Sequence, residues 1–167
     1  MNLKKRGFTL IELMIVLSLF AILATLSITQ LSFLDSTIVH TQLDELAALC
    51  YYLQQKAICS NQELVLAFDI QKNEYHGGNH HAKLSKPVVF GYSQHAQGPP
   101  GQPTGPINKA ITFPSAQIRF YPTGIISSGT VYFTDTKKNH TYALSNAVSQ
   151  LSYLRMYRYD GSWKLLS

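Results

Sequence analysis

The 167-residue chain has little of what staples, kinks or charges a fold: two cysteines, nine acidic residues and no proline before Pro87. Cys50 and Cys59 are too few for a disulfide scaffold, and they sit in no CxxC or Cys/His zinc spacing. If both lie on one helix, nine residues turn it by about 900° and rise about 13 Å, half a turn out of phase and beyond bridging. They read as two small packed apolar residues, or as a disulfide if the helix ends before Cys59. The missing early proline means that nothing forces a kink into a helix over the first half of the chain. GxSxG, HExxH, P-loop and GxGxxG patterns are absent, and Cys50 with the histidines makes no recognisable nucleophile arrangement. The expectation is a non-enzyme without cofactor or metal. The length fits one domain plus an appendage. The formal charge of +5 points to an anionic partner until its origin is traced. Lys4, Lys5 and Arg6 supply three of those charges, so the remainder of the chain gives little reason to expect nucleic acid.

What is present is concentrated at the N-terminus. The three basic residues precede Gly7, Phe8-Thr9-Leu10-Ile11, the acidic Glu12 and an uncharged run from Leu13 to Leu34. Leu13 to Ile28 alone approaches the roughly 20 apolar residues that span a bilayer, so the run is a transmembrane helix candidate. A secretory signal peptide, with Ala21 to Thr25 as a weak cleavage site, would have a shorter apolar region and no carboxylate at its head. A plain signal anchor explains the basic flank but leaves Glu12 without a reason. An acidic side chain inside an apolar helix costs roughly 2.5–3.5 kcal/mol, and the helix dipole returns only about 0.3–1 kcal/mol. A cut after Gly7 would create an α-amino group at Phe8, four residues before Glu12. Between chains packed side by side that amine is an ion-pair partner for Glu12, removed from water and setting a stagger.

The stretch Lys4-Lys5-Arg6-Gly7-Phe8-Thr9-Leu10-Ile11-Glu12-Leu13-Met14-Ile15-Val16-Leu17 resembles the leader and start of type IV prepilins and type II secretion pseudopilins. The resemblance implies that a prepilin peptidase cuts between Gly7 and Phe8, that Phe8 is then N-methylated, and that Glu12 serves methylation and subunit assembly. It implies an α+β, pilin-like fold, a long N-terminal α-helix packed on an antiparallel β-rich globular head. The expected divisions are a leader at 1–7, a transmembrane and filament-core helix at 8–34, an amphipathic helix at 35–61 and the head at 62–167. The chain would sit in the inner membrane as a single-pass protein with its head outside the cytoplasm, then join other pilins in a filament. Many major type IV pilins carry a proline partway along this helix. Thr29 and Gln30 stand in that region here, which favours a minor pilin or pseudopilin of a type II secretion system or type IV pilus.

Helical periodicity continues through Leu43, Leu46, Ala47, Cys50, Leu53 and Ala57, so one helix is expected from about Phe8 to about Ser60. From Gln62 the period becomes two: Leu64, Leu66, Phe68 and Ile70 alternate as in a strand. Further strands are expected at Pro87 to Tyr92, Ala110 to Phe113, Gln117 to Tyr121, Gly129 to Thr134, Thr141 to Ser145, Ser149 to Tyr159 and Ser162 to Leu166. Asp160-Gly161 reads as a two-residue hairpin turn. The run from Ile111 through Phe120, Gly124, Gly129 and Thr130 resembles the head of the GspH/FimT group, in which a Phe-x-x-x-Gly-x-x-x-x-Gly-Thr stretch enters a closing hairpin. The Gly/Pro-rich loop at 93–109 reads as a mobile excursion or as a partner-binding loop. His76, His80, His81 and His95 read as solvated loop residues, with metal binding as the alternative. Tyr153, Arg155, Tyr157 and Tyr159 alternate onto one strand face with Arg158 on the other. Aromatics interleaved with arginine either pack across strands or contact nucleic acid. DNA-binding members of the FimT group share a Gly-Arg-x-Arg motif, and Arg155-Met156-Tyr157-Arg158 lacks its glycine. A DNA-binding minor pilin acting in competence is therefore the second functional class.

Overall fold

Helix α1, Leu10–Ser60, begins where Thr9 and Glu12 form a capping box and continues without a breaker for 51 residues. The computed structural model describes residues 9–102, 105–146 and 153–166, and within α1 the side chains outside 24–34. The leader at 1–7, Phe8 and the end of the apolar run therefore lie outside the described side chains. The chain divides into two units, Met1–Leu34 and Asp35–Ser167. In the first unit the α1 side chains from Leu10 to Leu23 are exposed, including Leu10 at 77% and Phe20 at 65%. No helix among the described residues is long and apolar enough to cross a membrane.

The second unit packs the rest of α1 against two antiparallel sheets. Strands β1 (Leu64–Asp69), β2 (Glu74–Gly77), β3 (His80–Lys83) and β5 (Gln117–Phe120) form one sheet in the order β3-β2-β1-β5. Strands β4 (Val88–Phe90), β6 (Gly129–Asp135), β7 (Thr141–Asn146), β8 (Arg155–Tyr159) and β9 (Trp163–Leu165) form the other, in the order β4-β6-β7-β8-β9. The expected stripe Leu43, Leu46, Ala47, Cys50, Leu53 and Ala57 is buried, and it joins one core with Leu66, Phe68, Ile118, Phe120, Val131, Phe133 and Leu144. The architecture is α+β with a long N-terminal helix, consistent with a pilin-like fold.

Central strands β6 and β7 are buried on both faces. Val131 and Phe133 point to the helix, while Tyr132, opposite Ala143, points the other way into a second small core with Ala96 and Ile107. That outer core changes the reading of the Gly/Pro-rich loop. Trp163 Nε1 donates to the carbonyls of Gln97 (3.0 Å) and Gly98 (2.7 Å), and Tyr159 OH donates to the His95 carbonyl (3.0 Å). In its described part the loop is a strap fastened over the sheet rather than an excursion.

Four expectations need correction. The stretch read as a histidine loop is the β2–β3 hairpin, with His76 opposite His81 and Gly78 at φ +58° in its turn. Gly77 permits a close approach there, because a Cβ would lie 2.9 Å from Leu66 Cδ1 and 3.0 Å from Leu53 Cδ1 and those side chains would have to shift. The Ala110 to Phe113 strand shrinks to a single bridge, Ile111 to Val131. The last hairpin closes through three residues, because Tyr159 pairs with Trp163 and Gly161 takes φ +71°, the left-handed residue of a three-residue loop. Tyr153 precedes β8 and is not part of its face, and 149–152 lie outside the described residues.

Candidate functional site

The chemistry-bearing start of α1 is organised by two side chains. Glu12 Oε2 accepts the Thr9 N–H and the Thr9 hydroxyl, each at 2.9 Å, and the Glu12 N–H donates to Thr9 Oγ1 at 3.3 Å. This reciprocal pairing satisfies two of the backbone donors left free at a helix start. Glu12 is thereby oriented toward the N-terminal end of the helix. Thr9 is the residue that sequence reasoning missed. Its signal is the Thr-x-x-Glu spacing of a capping box.

The four residues considered for nucleic-acid contact do not converge. Arg155 and Tyr157 share the outer face of β8, Arg158 projects from the inner one, and Tyr153 is exposed ahead of the strand. Tyr157 and Tyr159 pack edge-on against Trp163, with ring centroids 6.5 and 5.1 Å apart, so their faces serve the outer core. The Arg158 guanidinium lies over the Tyr142 ring at 6.0 Å. Cross-strand packing accounts for this pattern without a nucleic acid.

His76, His80 and His81 lie on β2 and β3, whereas His95 lies in a turn outside the strands. His81 Nε2 is 3.4 Å from Glu74 Oε2, and His80 packs edge-on against Tyr52 at 5.2 Å. Glu74 also accepts from Lys83 Nζ at 3.1 Å; that hydrogen bond, ahead of the charges around it, holds its carboxyl below the usual range. Among the described residues no group of three His, Cys, Asp or Glu side chains could hold a metal ion. Cys50 and Cys59 are both on α1, one buried and one exposed, and both are free thiols. Burial pushes the Cys50 thiol pKa up, which removes its thiolate from use at neutral pH.

The glycines of the Phe120-x-x-x-Gly124-x-x-x-x-Gly129-Thr130 stretch have physical roles. Gly124 adopts φ +82°, and its carbonyl accepts the buried Gln54 side chain at 2.7 Å, tying the turn to α1. A Cβ on Gly129 would stand 2.5 Å from the Phe113 ring. Thr130 Oγ1 and Ser145 Oγ bond across the strands at 2.9 Å.

Residues 2–28 match the family model of the prokaryotic N-terminal methylation motif. That motif is a type IV prepilin-like leader, and it implies processing by a prepilin peptidase and assembly with other pilins. It covers the basic residues, Gly7, Phe8, the Thr9–Glu12 box and the described apolar run. No curated protein and no solved structure matches the chain.

Proposed function

We propose that the chain is a structural minor pilin or pseudopilin, cut after Gly7, N-methylated on Phe8 and assembled into a type II secretion pseudopilus or type IV pilus. The observation that carries this is the methylation motif at 2–28, joined to a helix start whose described large apolar side chains are exposed. In this reading 8–34 rests in the inner membrane as a single pass, the head stands outside the cytoplasm, and assembly exchanges lipid for neighbouring helices. Residues 35–61 present the helix to the β-rich head at 62–167. Glu12 leaves its Thr9 cap, or shares it, to meet the Phe8 amine of an adjacent subunit. The Gly124 and Gly129 roles support placing the head with the GspH/FimT group. The opposed faces of Arg155 and Arg158 give the DNA-uptake reading no support.

The decisive experiment is mass spectrometry of the full chain co-expressed with a prepilin peptidase. The expected mature N-terminus is methylated Phe8; any other terminus overturns the assignment. Gly7→Ala slows the cut, because a side chain obstructs close backbone approach at the scissile bond. Glu12→Ala leaves membrane insertion intact and weakens filament incorporation. Normal incorporation of that variant would remove the ion-pair role.

A further inference from the structure

One end of the head carries a cationic groove that the filament reading does not use. It lies between the segment at Ser93–His95, the β6–β7 turn and the β8–β9 turn. It comprises two cavities of about 340 and 270 Å³ that share His95, Lys138 and Asn139. The β6–β7 turn is built to hold its shape: Asp135 Oδ1 accepts the N–H groups of Asn139 and His140, both at 2.8 Å, and Lys138 is held at φ +57°. Arg158 lines the larger cavity and Lys137 the smaller.

Charge matching leaves cations over. Three carboxylates lie nearby: Asp160 pairs with Lys164 at 2.7 Å, Asp35 pairs with Lys137 at 3.1 Å, and Asp135 is buried beneath the turn with Oδ1 accepting its backbone N–H groups. Among the described residues neither Lys138 nor Arg158 makes a direct ion pair, although Arg158, after the Lys164 hydrogen bond, helps hold the Asp160 carboxyl below the usual range, and His95 and His140 line the same cavity. An ammonium, a guanidinium and imidazoles lining one cavity suit a phosphate group.

The groove is also tied to the point where the chain enters the head. Lys137 is paired with Asp35, and the Tyr142 ring under Arg158 shares a 2.8 Å hydrogen bond with Ser36. On the reading that 8–34 is membrane-embedded, on which this inference rests, Asp35 and Ser36 lie at headgroup depth. The residues bonded to them are then held near the same surface. Nucleic acid fits less well, because the neighbouring rings offer no free face: Tyr159 packs on Trp163 and Tyr142 lies between Arg158 and His40. We propose that the groove seats the phosphate of an anionic membrane lipid, with Lys138 and Arg158 as its principal ligands.

The test uses the full chain in detergent micelles, titrated with phosphatidylglycerol or phosphatidylcholine and read as lipid adducts by native mass spectrometry. Phosphatidylglycerol is expected to bind selectively, and the pair Lys138→Asn and Arg158→Gln to weaken it about tenfold or more, since each basic side chain contributes separately. Asn tolerates the left-handed backbone at 138, and unchanged Trp163 emission reports an intact head. Arg155→Gln, on the opposite face, is expected to leave the adducts unchanged. Equal adducts in the wild type and the double variant overturn the site. Inorganic phosphate binding as tightly as the lipid overturns the membrane source in favour of a free anion. Preferential retention of duplex DNA, lost in the same double variant, overturns it in favour of nucleic acid. Failure of the wild type to insert into phosphatidylcholine vesicles removes both this inference and the anchor reading, whereas insertion without lipid selectivity removes this inference alone.

Discussion

The two ends of α1 meet opposite environments although they belong to one helix. From Leu10 to Leu23 its described side chains are exposed, large apolar ones among them; from Val39 to Ala57 every third or fourth residue is fully buried. Propensity does not separate them, since both stretches are rich in Leu. The difference is what covers them. The second stretch has a sheet core within its own unit, and the first carries large exposed apolar side chains of the kind that mark an interaction surface. The exposed apolar side chains fall within the residues that match the methylation motif, and the proposed membrane and filament roles would supply their cover.

The sharpest way to break that comparison is to truncate one leucine in each half. Leu46 is fully buried in the core, so Leu46→Ala is expected to destabilise the head by about 2–5 kcal/mol, through lost burial and the cavity left behind. Leu17 is 59% exposed, and Leu17→Ala is expected to shift head stability by less than about 0.5 kcal/mol while reducing filament incorporation. Denaturant melts of both variants check this. A Leu17→Ala chain as unstable as Leu46→Ala would show that the first half depends on the head after all.

Much of this division is legible in the residues, and the exceptions have physical reasons. The period of 3.6 through Leu43, Leu46, Cys50 and Leu53 and the alternation of Leu64, Leu66 and Phe68 reflect single faces packed on one core, so pattern alone finds them. The β2–β3 hairpin escaped because only Tyr75 and Gly77 of β2 are buried, and a glycine selected for close approach carries no hydrophobic signal. Thr9 escaped because Glu12 invited a purely electrostatic reading. Tyr157 and Tyr159 look like a binding face in the sequence because their cover, the strap His95-Ala96-Gln97-Gly98, has a single small apolar residue of its own. Backbone carbonyls hold it, and carbonyls leave no trace in composition.

That strap offers the next test, since it makes the outer face of the head a covered surface of a different kind. Trp163→Phe keeps an aromatic ring beside Tyr159 but removes the N–H that reaches Gln97 and Gly98. The expected loss is about 1–2 kcal/mol, felt locally. Limited proteolysis should cut near Gly98 to Gly101 faster than in the wild type. If cleavage is unchanged, the strap is held by Ala96 and Ile107 instead of by the indole.

The outer face of the β2–β3 hairpin is uncovered too, yet polar, and so separates exposure from demand for a partner. Lys83 holds the Glu74 carboxyl below its ordinary pKa, so the contribution of this pair is present at neutral pH and is lost as pH falls through the folded value. Both side chains are at the surface, and the effect on stability is expected to be the smallest of the three. Lys83→Gln should move the Glu74 midpoint, followed by carboxyl chemical shift, back upward and leave the neutral-pH melt within error. An unmoved midpoint would mean that His81, 3.4 Å away, is the partner that matters, and the companion variant His81→Gln would then produce the shift.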